Sequence, residues 1–276
     1  MEISQNNTLV LLEQEHKNFI DKLKEINFYK SMIRSTKKET LKALMQQKEK
    51  SMKVLTDESD VNWFRMTNLV YKNIEGRMTG LGFIDKNIQE VMESIEYQHN
   101  KQYQWFLVDI FELYIQFIMN SYCIVKKQYP NFFVFSKKEK KAYYNVIKKL
   151  KEKDTLFTQF ESGKLHNTDI NYNHYMEMIK AFRNAIVHQQ GNNTNTKKIY
   201  KKMKQYSADE LDVSFKEIIS IYFGKGKFSN MICLNEIFKS ENKYSDRLGY
   251  LIGIIIVHSE IILNSFKRVL IEQGQN

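Results

Sequence analysis

A single proline, Pro130, and only ten glycines occur in 276 residues, so long stretches of the chain lack the residues that interrupt helices. A β-sandwich or barrel would need far more turn chemistry. The chain is therefore expected to be all-α. Hydrophobic residues make up 42% of it, with 18 Phe and 16 Tyr, enough apolar surface to offset the entropy of ordering a compact core.

The apolar positions extend this reading. Leu9, Leu12, Phe19, Leu23, Ile26 and Ile33 keep a three-four spacing, with His16 and Lys30 in the same series, the mark of an amphipathic helix. Residues 8–56 therefore form one long helix or a helical hairpin broken near Ser35 and Thr36. Asp60–Leu81, with Val61, Phe64, Leu69, Val70 and Ile74, reads as a further helix, closed by Gly76, Gly80 and Gly82. A boundary near Phe83 divides an N-terminal helical region, 1–82, from a larger domain, 83–276.

In the larger domain, Ile84–Tyr97 is expected to be helical, and Tyr103–Gln128 to form a long helix buried nearly all round. Ser136 and Glu139 offer a capping box to a basic helix reaching Lys153. A polar connection, Glu161–Asn173, leads to a helix from Tyr175 to about Gln189, terminated by the loop 191–195. The segments 218–223 and 231–234 flank Gly224–Lys227 and could form one small hairpin. A strongly apolar helix from Tyr244 to about Ile271 closes the chain.

Several function classes drop out. Cys123 and Cys233 stand far apart without a partner motif, which supports neither a disulfide framework nor a cysteine zinc site. His16, His99, His166 and His174 lie singly, so no metal and no cofactor is assigned. His258 reads as a satisfied core histidine, and Gly224–Lys227 as a basic turn, since it lacks the glycine spacing of a phosphate-binding loop. The run Leu248–Val257 is too short for a membrane helix. With no N-terminal signal pattern, a cytoplasmic protein without a membrane partner is expected. A net charge of +10 and a pI of about 9.2 favour a polyanionic partner. Lysines at 137–153 and 197–204 could contact an RNA backbone.

One segment carries chemistry. With Phe182 at zero on a helical wheel, Ile186 falls near about 40° and Ala185 near about 300°, with Ile179 on the same side. That is the core face. Arg183, Asn184 and His188 fall near about 100°, 200° and 240° and are turned outward together. Asn184 and His188, four apart, lie within hydrogen-bonding reach of each other. Arginine can stabilise charge on a phosphate in flight while histidine moves a proton, a combination suited to RNA cleavage through the 2′-hydroxyl.

Arg183-Asn184, three further residues and His188 resemble the arginine-polar-histidine signature of the HEPN (higher eukaryotes and prokaryotes nucleotide-binding) superfamily, with Gly191 in a position often glycine there. The resemblance covers about residues 90–272. It implies a helical bundle with a HEPN-like core, in which Arg183, Asn184 and His188 are catalytic. It further implies a homodimer whose two motifs build one composite active site, and metal-independent endoribonuclease activity that leaves a cyclic phosphate or related end. A role as a toxin or antiphage-defence effector, with an antitoxin or sensor as partner, follows from the same resemblance. The alternative is a non-catalytic HEPN-like RNA-binding, regulatory or scaffolding protein.

Overall fold

The computed structural model describes residues 2–54, 63–66, 70–72, 74–80, 84–131, 142–163, 171–189, 218, 221–223, 231–235, 237–240 and 243–274. In chain order the elements are α1 (Glu2–Val54), β1 (Trp63–Met66), β2 (Val70–Lys72), β3 (Met78–Gly80), β4 (Ile84–Asn87), α2 (Ile88–Gln128), α3 (Tyr143–Lys153), α4 (Thr155–Ser162), α5 (Tyr172–Gln189), β5 (Ile237–Ser240), β6 (Lys243–Ser245) and α6 (Arg247–Gly274). The fold is of the all-α class, with three short two-stranded antiparallel ladders besides the helices.

The chain forms two compact units, one of residues 1–28 with 103–276 and the other of residues 29–102. These bounds differ from the division expected near Phe83. In the first unit α6 packs against α3, α4 and α5. Its Leu251, Ile255, Ile262 and Phe266 are buried, as are Leu107, Ile110, Phe117 and Ile118 of α2. The start of α1 joins this core through Leu12, Phe19 and Leu23, spaced so that one stripe faces inward. Phe19 stacks on Phe117 at 5.3 Å, and His16 bonds the Ser259 hydroxyl at 2.9 Å. Burial holds the His16 imidazole below its ordinary pKa.

In the second unit, the helix expected over 60–81 is replaced by strands. Trp63–Met66 pairs with Ile84–Asn87, and Val70–Lys72 pairs with Met78–Gly80. Residue preference explains the correction: Trp63, Phe64, Val70 and Tyr71 are strong strand formers, and the alternation of Phe64 and Met66 with Arg65 suits a strand. Gly76 takes φ 75° in the β2–β3 turn, a left-handed conformation that suits glycine.

Ile84–Asn87 is likewise strand, and α2 then runs without a break through residues 97–103. Its start is a reciprocal cap: the Glu90 amide donates to the Asn87 side-chain oxygen at 2.9 Å, and the Asn87 amide donates to the Glu90 carboxylate at 3.0 Å. The start of α1 likewise continues unbroken past Ser35 and Thr36.

Other expectations meet mixed outcomes. The Ser136–Glu139 cap, the loop 191–195, the lysines at 197–204 and the Gly224–Lys227 turn lie outside the described residues. An isolated antiparallel bridge joins Phe223 and Ile232, and the Cys233 amide donates to the Tyr222 carbonyl at 2.8 Å. The neighbouring laddered hairpin is formed by β5 and β6. The segment 155–162, expected to run into a polar connection, is a helix in its own right. Asp154 caps it by accepting from the Leu156 amide at 3.1 Å, and Arg268 of α6 donates to the other oxygen of the same carboxylate at 2.7 Å. By length and composition α2 and α6 could each cross a membrane. About half of the most apolar stretch of each is buried inside the protein.

Candidate functional site

Helix α5 starts where the Asn171 side chain accepts from the His174 amide at 2.9 Å. Ile179, Phe182, Ala185 and Ile186 are buried along it, on the face expected from the wheel. Arg183 and Asn184 are half-buried, whereas Val187 and His188 are exposed.

Arg183 is clamped. Its Nε donates to Glu112 Oε1 of α2 at 3.0 Å, its Nη2 donates to the same oxygen, and its Nη1 donates to Asn184 Oδ1 at 2.9 Å. Asn184 is thus tied to its neighbour, and among the described residues it makes no hydrogen bond to His188. A bond from a charged guanidinium is roughly twice as strong as one between neutral groups, so the amide oxygen goes to Arg183, while the amide nitrogen keeps its two donors. Arg183 and Asn184 stand together, and His188 stands one turn further on with its ring in solvent. Glu112 was missed by sequence reasoning, since it lies 71 residues away and no local spacing links it to Arg183.

Tyr143 of α3 belongs to the same surroundings. Burial pushes its phenol up to about 12; Glu177 and Glu112 add to that rise, while Arg183 opposes it.

Next to this cluster, helices α2 to α6 line a half-open cavity of about 220 Å³, whose lining includes Tyr143, Lys180 and His258. His258 is buried in its floor. The Tyr114 hydroxyl lies 2.8 Å from Nδ1, and Glu161 Oε1 lies 3.1 Å from Nε2. The other Glu161 oxygen meets Lys151 Nζ at 2.5 Å. Burial pushes the Glu161 carboxyl up, but hydrogen bonds and charge from His258 and Lys151 outweigh it and hold the group below the usual carboxylate range. An ionised carboxylate only accepts, so Nε2 carries a proton and donates to Glu161, while Nδ1 and the Tyr114 hydroxyl share the second hydrogen bond. Burial raises the Tyr114 phenol well above its ordinary value, which keeps it a donor. His258 is a satisfied core histidine.

Among the described residues no three or more His, Cys, Asp or Glu side chains gather as a metal site would require. Comparison of the chain with protein-family models, with curated proteins and with solved structures found no match.

Proposed function

We propose that this chain is a metal-independent endoribonuclease of HEPN type, acting in the cytoplasm as a homodimer. The observation that carries the reading is the clamp on Arg183, held by Glu112 and Asn184 one helical turn before the exposed His188. Three of the five guanidinium N–H donors are occupied, which leaves two for phosphate oxygens.

In this scheme a neutral His188 takes the proton of the ribose 2′-hydroxyl as its oxygen attacks phosphorus. The bond from phosphorus to the 5′-oxygen breaks, leaving a 2′,3′-cyclic phosphate. Arg183 stabilises the negative charge on the phosphoryl oxygens. The departing 5′-oxygen needs a proton at the same moment, and one imidazole cannot be base and acid at once. A second copy supplies the second His188, in its protonated form. That stoichiometry supports the homodimer with a composite site. A ribonuclease of this kind suits a toxin or antiphage-defence effector held in check by an antitoxin or sensor.

The Glu112–Arg183 pair also supports a second reading. Glu112 partly neutralises the cation a phosphate would meet, which fits a non-catalytic HEPN-like RNA-binding, regulatory or scaffolding protein. The readings separate when purified protein and His188→Ala are incubated with tRNA and mRNA in EDTA. Cleavage that persists in EDTA and vanishes in the variant is expected of the enzyme. RNA left intact by both proteins, together with harmless expression in cells, decides for the second reading.

A further inference from the structure

We infer that the cavity beside Arg183 is a base-receiving pocket: it takes one unstacked nucleobase of the RNA strand, next to the phosphate that Arg183 and His188 act on. The inference rests on the ribonuclease reading for its substrate, and the pocket itself is argued from its walls.

The α5 wall is made by Asn173, Met176, Glu177 and Lys180. Asn184 follows Lys180 by four residues, so the same helical face runs from the cavity to the Arg183 clamp over about 6 Å of axis. On the α2 and α3 side the wall is aromatic. Phe111 and Tyr143 meet edge to face at 6.1 Å, and Tyr144 stands against Tyr143 at 5.9 Å. Tyr144 is about half exposed, at 49%, and so offers ring surface at the mouth. Single-stranded RNA is held in this manner, with unstacked bases laid on aromatic side chains while cations follow the backbone.

Size and polarity agree. At about 220 Å³ the cavity is smaller than the roughly 300–1,000 Å³ of sites for drug-sized ligands. It suits one ring system and cannot admit a base pair. Lys148 at the rim has 65% of its side chain exposed and forms a long, solvent-facing ion pair with Glu152 at 3.9 Å, which a phosphate can compete for. Asn173 brings both a donor and an acceptor to the edge of a base. The Tyr114–His258–Glu161 chain uses its hydrogen bonds internally and keeps the floor rigid.

The test uses the full-length protein, Tyr144→Ala, the pocket-filling Ile147→Trp, and short single-stranded RNAs whose nucleotides flanking the cleaved linkage are intact or abasic. Removing the base is expected to lower kcat/KM of the wild type about tenfold, the scale of one base–aromatic stack. Both variants should show a similar loss on intact RNA and little further loss on abasic RNA, with thermal unfolding confirming that they fold. Equal cleavage of intact and abasic RNA by the wild type overturns the pocket and leaves the ribonuclease reading standing. Should the wild type cut none of these RNAs, 2-aminopurine placed in the same RNAs decides the pocket by itself. Fluorescence quenched by the wild type but not by Ile147→Trp supports it, and fluorescence unchanged by both overturns it.

Discussion

The last turn of α5 and the floor of the cavity each carry a histidine, and the two rings are treated in opposite ways. His188 is exposed, and the neighbouring amide that could orient it is tied to Arg183 instead. His258 is 1% exposed and bonded at both nitrogens. A ring that carries protons to and from a substrate needs an open nitrogen and room for an incoming group. A ring saturated by a phenol and a carboxylate does neither and serves as a strut. Under the ribonuclease reading, the same side chain is thus put to chemistry in one place and to architecture in the other by its neighbours.

His188→Ala should break the comparison most visibly. We expect RNA cleavage to fall by roughly 10²–10⁴, the usual contribution of a general acid–base group. The unfolding free energy should stay within about 0.5 kcal/mol, as for most surface substitutions. Cleavage assays and urea denaturation of one preparation check both halves. His258→Ala should give the reverse balance, a large loss of stability with cleavage falling far less than in His188→Ala, and loss of cleavage with full stability would exchange the two roles.

Glu161→Ala comes next, with a loss of about 3 kcal/mol in unfolding free energy, the lower end for one partner removed from a buried pair. Its pH dependence has a definite sign. The Glu161 carboxyl is held below its ordinary value of 4.5, so the stability it contributes is fully present above pH 4.5 and is lost as pH falls through the lower folded value. Melting curves of Glu161→Gln should therefore decline less steeply below pH 4.5 than those of the wild type.

A third histidine sharpens the comparison in the other unit. Burial, with the charge of Lys37 adding to it and that of Glu96 opposing, lowers His99 from 6.5 to about 4. The unfolded chain then binds more protons between those values, so wild-type stability should fall as pH drops from 6.5 towards 4. Replacing His99 with Gln should flatten that interval, as read by thermal melting across it. The smallest effect is expected of Glu112→Gln. The pair is partly exposed, with 24% and 42% of the two side chains in solvent, so screening limits its worth to about 1 kcal/mol at most. Under the ribonuclease reading cleavage should fall less than in His188→Ala, because Arg183 keeps its charge and loses only part of its orientation. Unchanged cleavage would mean that Glu112 does not position the arginine.

What was legible in the sequence follows from how local each signal is. The core face of α5 depends on a 3.6-residue period and is found at Ile179, Phe182 and Ile186, and the end of α2 at Gln128 falls next to Pro130. The helix α4 went unread because it spans only eight residues, between a basic helix ending at Lys153 and the polar connection that begins at Glu161. The Asn87–Glu90 cap was readable as Asn-x-x-Glu but was hidden behind the apolar Phe83 and Ile84. Gly76 and Gly80 suggested a boundary, whereas the limits between the compact units, 28/29 and 102/103, fall inside α1 and α2. Continuous helices leave no glycine or proline to mark such a limit. The Glu112–Arg183 clamp joins distant positions, and no period within one element can show it.

Helix α6 begins at a fixed point. Asp246 accepts from the Gly249 amide at 2.8 Å, and its carboxylate lies where any side chain at position 249 would place a β-carbon. From Arg247, His258 lies eleven residues on, about three turns. One residue inserted or deleted between them would swing the imidazole by about 100°, away from both Tyr114 and Glu161. This stretch of chain can exchange side chains over time but cannot change its length, whereas an added residue beyond Gly274 would leave the imidazole where it is.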